Sequence, residues 1–234
     1  QTTSAYKMKK THKIDGIIVN EYVGTNIYEF ENIFDTSLCN AIISIIDKAP
    51  LKRSVFRKGS NVQCYTLTLE EMIHRSSKYH YVFPKKPTYE LIIQNRIPEV
   101  PKQLLHECME DINEQMRKVK RTITSITNIH ISSRTEYQLR KIHDYTRLHS
   151  DGIGHDHDDP VIRSASVIVA LNDDYDDGIV HFPKHDLHIR LKRGTVLLFP
   201  PFWTHPHQVS SPGKDQYRYT IQTWFLEKGF IELE

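Results

Sequence analysis

His149-Ser150-Asp151 sets an imidazole and a carboxylate two residues apart. In an extended strand the side chains at i and i+2 share a face, so this pair can converge on one point, as two ligands of a metal ion would. A third ligand is on offer in Thr204-His205-Pro206-His207-Gln208-Val209, where two imidazoles again stand two apart. Two His and one carboxylate around an ion leave coordination positions open for reactants. Eleven positions after His207 comes Arg218-Tyr219-Thr220, a guanidinium and a hydroxyl at i and i+2. A guanidinium fork holds a carboxylate bidentately, which is what an acidic co-substrate beside the ion would need.

With 14 His in the chain, other ligands compete. His157 and Asp159 make a second His-x-Asp, but the run His155-Asp156-His157-Asp158-Asp159 ends at Pro160. Such a run reads as a turn, where the i, i+2 geometry fails, and we expect an acidic loop over the mouth of the site. Leu148 before His149 and Gly152 after Asp151 instead fit a strand end entering a loop. Between His205 and His207 the residues alone do not choose. His74, His106, His130, His143, His181, His185 and His188 stand in no ligand-like spacing and are expected on the surface or satisfied in the core. A Zn²⁺ hydrolase also uses two His and a carboxylate. That chemistry leaves Arg218 and Thr220 without a task, and the sequence has no HExxH motif.

Beyond these residues, Thr146-Arg147-Leu148-His149-Ser150-Asp151-Gly152 is followed in order by Arg163 with Ser166-Val167-Ile168-Val169-Ala170-Leu171-Asn172. Gly178-Ile179-Val180-His181-Phe182-Pro183, Gly194-Thr195-Val196-Leu197-Leu198-Phe199-Pro200, Pro206-His207 and Arg218-Tyr219-Thr220 complete the series. In this order the chain resembles the iron(II)/2-oxoglutarate-dependent oxygenases, and most of all their prolyl 4-hydroxylase-like branch. Asp177-Gly178 stands where that branch often has Gly-Gly, and Thr220 replaces a commoner Ser. The resemblance selects His207 as the distal ligand and implies Fe(II) held by His149, Asp151 and His207. It further implies 2-oxoglutarate as co-substrate, with Arg218 and Thr220 on its far carboxylate, O2 as oxidant, and ascorbate as an accessory reductant. Tyr137 or Tyr145 is expected to add a hydrogen bond to the co-substrate. Arg163 is expected to face the substrate or to pair with an acid of the Asp156–Asp159 run, and His205 to act as a donor behind the metal or a substrate contact. The implied reaction is hydroxylation of an unactivated C–H bond, of a prolyl or other peptide side chain, with release of succinate and CO2. A free amino acid or other small metabolite is the alternative substrate. A metal-binding barrel that only binds a ligand is the alternative to an enzyme.

These residues need strands to carry them. After Glu136, apolar runs at Tyr137–Ile142, Ala165–Leu171, Val180–Phe182, His188–Leu191, Thr195–Phe199 and Tyr217–Phe225 alternate with Gly, Pro, Asn and Asp turns, which points to a sandwich or barrel. The resemblance narrows this to a mainly β fold with flanking helices (α+β), a double-stranded β-helix or jelly roll buttressed by N-terminal helices. Upstream, Ile17–Val19 and Ile27–Phe30 read as strands around a Gly24-Thr25-Asn26 turn. Asp35, Thr36 or Ser37 can cap a helix whose apolar stripe is Leu38, Ala41, Ile42, Ile45 and Ile46, ending before Pro50. Val62–Leu67 reads as a strand. Tyr79, Tyr81 and Phe83 read as a substrate lip or an edge strand. Pro101 opens an amphipathic helix with Leu104, Leu105, Cys108, Ile112, Met116 and Val119 on one face and the basic cluster Arg117–Arg121 at its end. Ile129 and Ile131 suggest a strand within Thr122–Thr135.

A chain of 234 residues can bury a full core. Residues 1–15 are expected to be a flexible tail and 16–234 one domain, with 16–135 supporting a metal- and co-substrate-binding β-core at 136–234. A net charge of +2 gives no electrostatic case for nucleic acid or a membrane surface. Cys39, Cys64 and Cys108 form no CxxC pair and read as free thiols in a reducing, cytoplasm-like compartment.

Overall fold

In a computed structural model of the chain, the residues described are 8–49, 52–54, 64–77, 100–152 and 161–228. Strands β1 (Lys9–Ile14), β2 (Ile17–Tyr22) and β3 (Ile27–Phe30) lead into helix α1 (Thr36–Lys48). Then come β4 (Lys52–Ser54), β5 (Cys64–Thr68), α2 (Leu69–Ser77), α3 (Lys102–Ile126), β6 (Ser133–Arg134), β7 (Gln138–Ile142) and β8 (Thr146–His149). The chain continues through β9 (Val161–Ala170), β10 (Val180–Phe182), a 3-10 turn at Pro183–His185 and β11 (Leu187–Ile189). It closes with β12 (Val196–Phe199), β13 (His207–Val209) and β14 (Arg218–Lys228).

Two antiparallel sheets result. The larger runs β1-β2-β3-β12-β9-β14-β7-β5-β4, with β6 beside β14, and the smaller runs β11-β10-β13-β8. From β7 to β10, successive strands alternate between the sheets, and β12, β13 and β14 do so again. This winding is the double-stranded β-helix. Side-chain alternation sorts the large sheet into two faces. Tyr137, Leu139, Ala165, Val167, Val169, Val196, Leu198, Ile221 and Phe225 pack outward in one core with the helices. Ile168, Ala170, Leu197 and Phe199 pack inward against Val180, Phe182, Leu187, Ile189 and Val209 of the small sheet. Because both faces are covered, these strands read as nearly continuous apolar runs.

The helices cover the outer face for sequence-local reasons. Asp35 caps α1, its carboxylate accepting from Leu38 N–H at 2.8 Å, and Cys39, Ile42, Ile45 and Ile46 are buried along one side. The α3 face is Leu105, Cys108, Ile112, Met116, Val119 and Ile123. Gly194, at φ +79, carries the turn before β12 against the backbone at Phe34, and a Cβ there would overlap the Phe34 carbonyl oxygen. Its own carbonyl accepts from Ile33 and Phe34 N–H at 3.0 and 3.1 Å, tying that turn to the chain entering α1.

Several expectations are corrected. Lys9–Ile14 pairs with β2 along its whole length, so the polar start is a strand there and not a loose tail; residues 1–7 lie outside the described residues. Arg117–Arg121 does not end α3, because Thr122 and Ile123 continue its buried stripe to Ile126. Thr122–Thr135 is therefore the last helical turn, an irregular segment at Ile129 and Ile131, and only two residues of strand. Leu104 and Ala41 face solvent instead of the core. The Tyr79–Phe83 lip and the His155–Asp159 loop lie outside the described residues. Among those described, no helix is long and apolar enough to cross a membrane.

Candidate active site

In the small sheet β8 lies beside β13, and the register sets His149 directly opposite His207. Their rings are 4.4 Å apart. Asp151 follows in a turn where Gly152 takes φ +75 and donates its N–H to the Pro201 carbonyl at 2.9 Å. That left-handed conformation suits glycine and lets the chain leave the strand immediately behind the carboxylate. His149, Asp151 and His207 each bring one ligand atom within 4.8 Å of the others. Nε2 of His149 and Nε2 of His207 stand 3.3 and 3.9 Å from the same oxygen, Oδ1 of Asp151. Metal–ligand bonds of about 2.0–2.2 Å put neighbouring donors about 3 Å apart. The observed separations are close to what one shared ion requires.

The protonation pattern fits as well. Nδ1 of His149 lies 2.8 Å from the Arg147 carbonyl, and Nδ1 of His207 lies 3.1 Å from the His205 carbonyl. A carbonyl can only accept, so each Nδ1 carries a proton, and Nε2 is the atom of each ring left to ligate an ion. Oδ2 of Asp151 accepts from the Ser166 hydroxyl and, at 3.0 Å, from Trp224 Nε1–H. Oδ1 is left to face the imidazoles. Burial works to raise the Asp151 carboxyl, but the contact with His149, the neighbouring His207 and the Ser166 hydroxyl outweigh it and hold the group far below the usual carboxylate range. Burial pushes His207 down to about 4, against the pull of Asp151. Phe182 and Phe199 fix its ring, at centroid distances of 5.6 and 4.8 Å.

Arg218, Thr220, Gln222 and Trp224 alternate along β14 onto the same inner face, all of them buried. A cavity of about 180 Å³ is lined by Arg218 and Thr220 together with His149, Asp151 and His207. Gly178, at φ +76, makes room for the Tyr175 ring: a Cβ there would lie 2.7 Å from Tyr175 Cε2, while at 3.4 Å it would only touch Arg218 Cδ.

Residues 135–226 match the family described as the 2OG-Fe(II) oxygenase superfamily. That segment holds the triad, the cavity and the Arg218–Thr220 pair. That stretch of the chain is similar to a 2OG-Fe(II) oxygenase domain. The chain's fold is shared with prolyl hydroxylases of known structure. A viral collagen prolyl hydroxylase from Paramecium Bursaria Chlorella virus-1, in a complex with 2OG, matches at 15% identity and TM-score 0.54 over 88% of this chain and 98% of that one. A Pseudomonas putida prolyl-4-hydroxylase matches at 13% and 0.56, over 88% and 95%. A Trichoplax adhaerens prolyl hydroxylase in complex with a hypoxia inducible factor peptide fragment matches at 14% and 0.51, over 86% and 84%. No curated protein matches the chain.

The match to this family implies Fe(II), 2-oxoglutarate and O2 as cofactor and co-substrates. The donor set suits that ion: two neutral nitrogens and one carboxylate oxygen on one side leave the remaining positions open.

Other residues singled out by sequence are placed differently. Tyr137 is not near the cavity. It faces α3, fully buried, with its hydroxyl donating to Asn113 Oδ1 at 2.9 Å and the Arg134 guanidinium 3.5 Å above its ring. The cavity-facing positions of β7 are Gln138, Arg140 and Ile142, so Tyr137 has the opposite phase. Tyr145 lies on a neighbouring surface depression with His181 and His188, not on the cavity. The His205 imidazole points away, bonded to Thr204 Oγ1 at 2.8 Å and to the Thr25 carbonyl at 2.6 Å. What His205 contributes behind the metal site is its backbone carbonyl. Arg163 lies over Trp224, 4.0 Å from the ring, and donates to the Asp151 carbonyl at 3.2 Å. Ser166, Trp224, Gln222 and Arg140 were not anticipated. Gln222 and Trp224 were readable in principle, since they stand in phase with Arg218 and Thr220. Ser166 and Arg140 carry no such signal.

Proposed function

We propose that this oxygenase hydroxylates an unactivated C–H bond of a prolyl or other peptide side chain, coupled to conversion of 2-oxoglutarate and O2 to succinate and CO2. The observation that carries the reading is that the His149–Asp151–His207 triad and the Arg218–Thr220 pair line one cavity. When bound, Fe(II) with 2-oxoglutarate and O2 supplies the oxidising equivalent that inserts oxygen into the C–H bond. The protein's part is positional. His149, Asp151 and His207 would hold the ion, with Ser166 and Trp224 fixing the carboxylate and the Arg147 and His205 carbonyls fixing the rings. Arg218 would pair with the far carboxylate of the co-substrate while Thr220 donates a hydrogen bond to it. Enclosing that end in a buried, water-poor wall strengthens the pairing and aligns the reactive end toward the ion.

A peptide substrate is supported by the fold neighbours, named as prolyl hydroxylases, one of them bound to a peptide. Leu148, 55% exposed beside His149, and Trp203, 75% exposed two residues after the Pro201 carbonyl that anchors Gly152, offer apolar surface to such a chain. A free amino acid is the second reading, favoured by Arg163, whose guanidinium beside Asp151 suits a substrate carboxylate. Succinate release, screened with proline-containing peptides and with free amino acids, separates the two. Stimulation by peptides alone supports the first reading; stimulation by amino acids alone replaces it with the second.

A further inference from the structure

In the register of β7 against β14, Arg140 stands opposite Thr220 and diagonal to Arg218. Both arginines line the cavity shared with the metal triad. Two guanidiniums on adjacent strands of one cavity are two cationic forks that can hold an anionic ligand between them. Arg140 does not lean toward Arg218. Its Nη1 reaches Gln222 Oε1 at 3.5 Å, in the direction of Trp224, the residue that holds Asp151. The two strand positions are two residues apart along the sheet, about 7 Å, a spacing on the scale of the two carboxylates of a short diacid.

We propose that Arg140 is a second co-substrate-binding residue, taking the carboxylate at the 2-oxo end of 2-oxoglutarate while Arg218 takes the far one. This rests on the functional reading above and deepens it: the cavity is a two-arginine clamp that selects diacids of one length. Arg140 is then a specificity-determining residue, since the planar fork fixes the chelating carboxylate in one orientation.

The test uses the full chain loaded with Mn(II) as an oxygen-stable substitute for Fe(II), and titrates 2-oxoglutarate and oxalate by calorimetry. Oxalate has the metal-chelating end without the far carboxylate. Arg140→Gln is expected to weaken both ligands by about ten- to a hundredfold, Arg140→Lys to recover part of that loss, and Mn(II) affinity not to fall in either. Arg218→Gln is expected to weaken 2-oxoglutarate alone. Unchanged oxalate binding in Arg140→Gln overturns the assignment, even if 2-oxoglutarate weakens. A wild-type protein that binds Mn(II) but neither ligand overturns the functional reading itself.

Discussion

Trp224 donates its indole N–H to Oδ2 of Asp151 at 3.0 Å, across 73 residues of chain. With the Ser166 hydroxyl on the same oxygen, the carboxylate cannot rotate to offer both oxygens, and Oδ1 alone faces His149 and His207. Partners of this kind orient a ligand before any ion arrives.

Trp224→Phe keeps the ring and removes the donor. Metal affinity should fall by about ten- to a hundredfold, and Ser166→Ala should behave alike. Competition with a chelator of known affinity measures this. Wild-type affinity in both variants would mean that the carboxylate needs neither partner.

Arg218→Ala should lower 2-oxoglutarate affinity strongly while the ion still binds, because Arg218 lines the cavity without belonging to the triad. Equal loss of both would assign the residue a structural task.

Gly194→Ala forces a side chain into a left-handed conformation and onto the Phe34 carbonyl. The backbone conformation alone costs about 1–3 kcal/mol. The urea midpoint should drop accordingly; an unchanged midpoint would contradict the tight turn.

Burial pushes the Cys39 thiol up to about 11, and the Cys108 thiol, also beside Asp111, up to about 12. Both should resist alkylation in the native protein at pH 8, read by peptide mass mapping. An unfolded thiol ionises near 9.0, where the folded ones stay protonated. Their contribution to stability is therefore complete below pH 9 and is lost as the pH rises toward 11–12. Stability that stays level through that window in the wild type would argue against their burial.

The triad and the Arg218–Thr220 pair were legible because each is a short motif whose spacing matches the strand period, and the motifs recur in a fixed order. What the sequence concealed is cross-strand register. Ser166 meets Asp151 only because β9, β14 and the turn after β8 converge, and Arg140 meets Thr220 only through the β7–β14 pairing. Tyr137 was misjudged because it stands in phase with Leu139, on the face opposite to Gln138 and Arg140, and follows Leu139 into the helix-side core. His205 and His207 looked equivalent as an i, i+2 pair, yet β13 begins only at His207. Ahead of it the chain turns, His205 N–H bonding to the Phe202 carbonyl, and the alternation does not hold. Strand pairing at Lys9–Ile14 was hidden because those residues are polar and their partner strand supplies the apolar positions.

The most direct test of the account is succinate formation in the full chain given Fe(II), 2-oxoglutarate and O2, compared with Asp151→Ala and with metal withheld. The account predicts succinate in the wild type only when all three are supplied, and none in the variant. Turnover that persists in Asp151→Ala, or that proceeds after complete chelation of the metal, would contradict it.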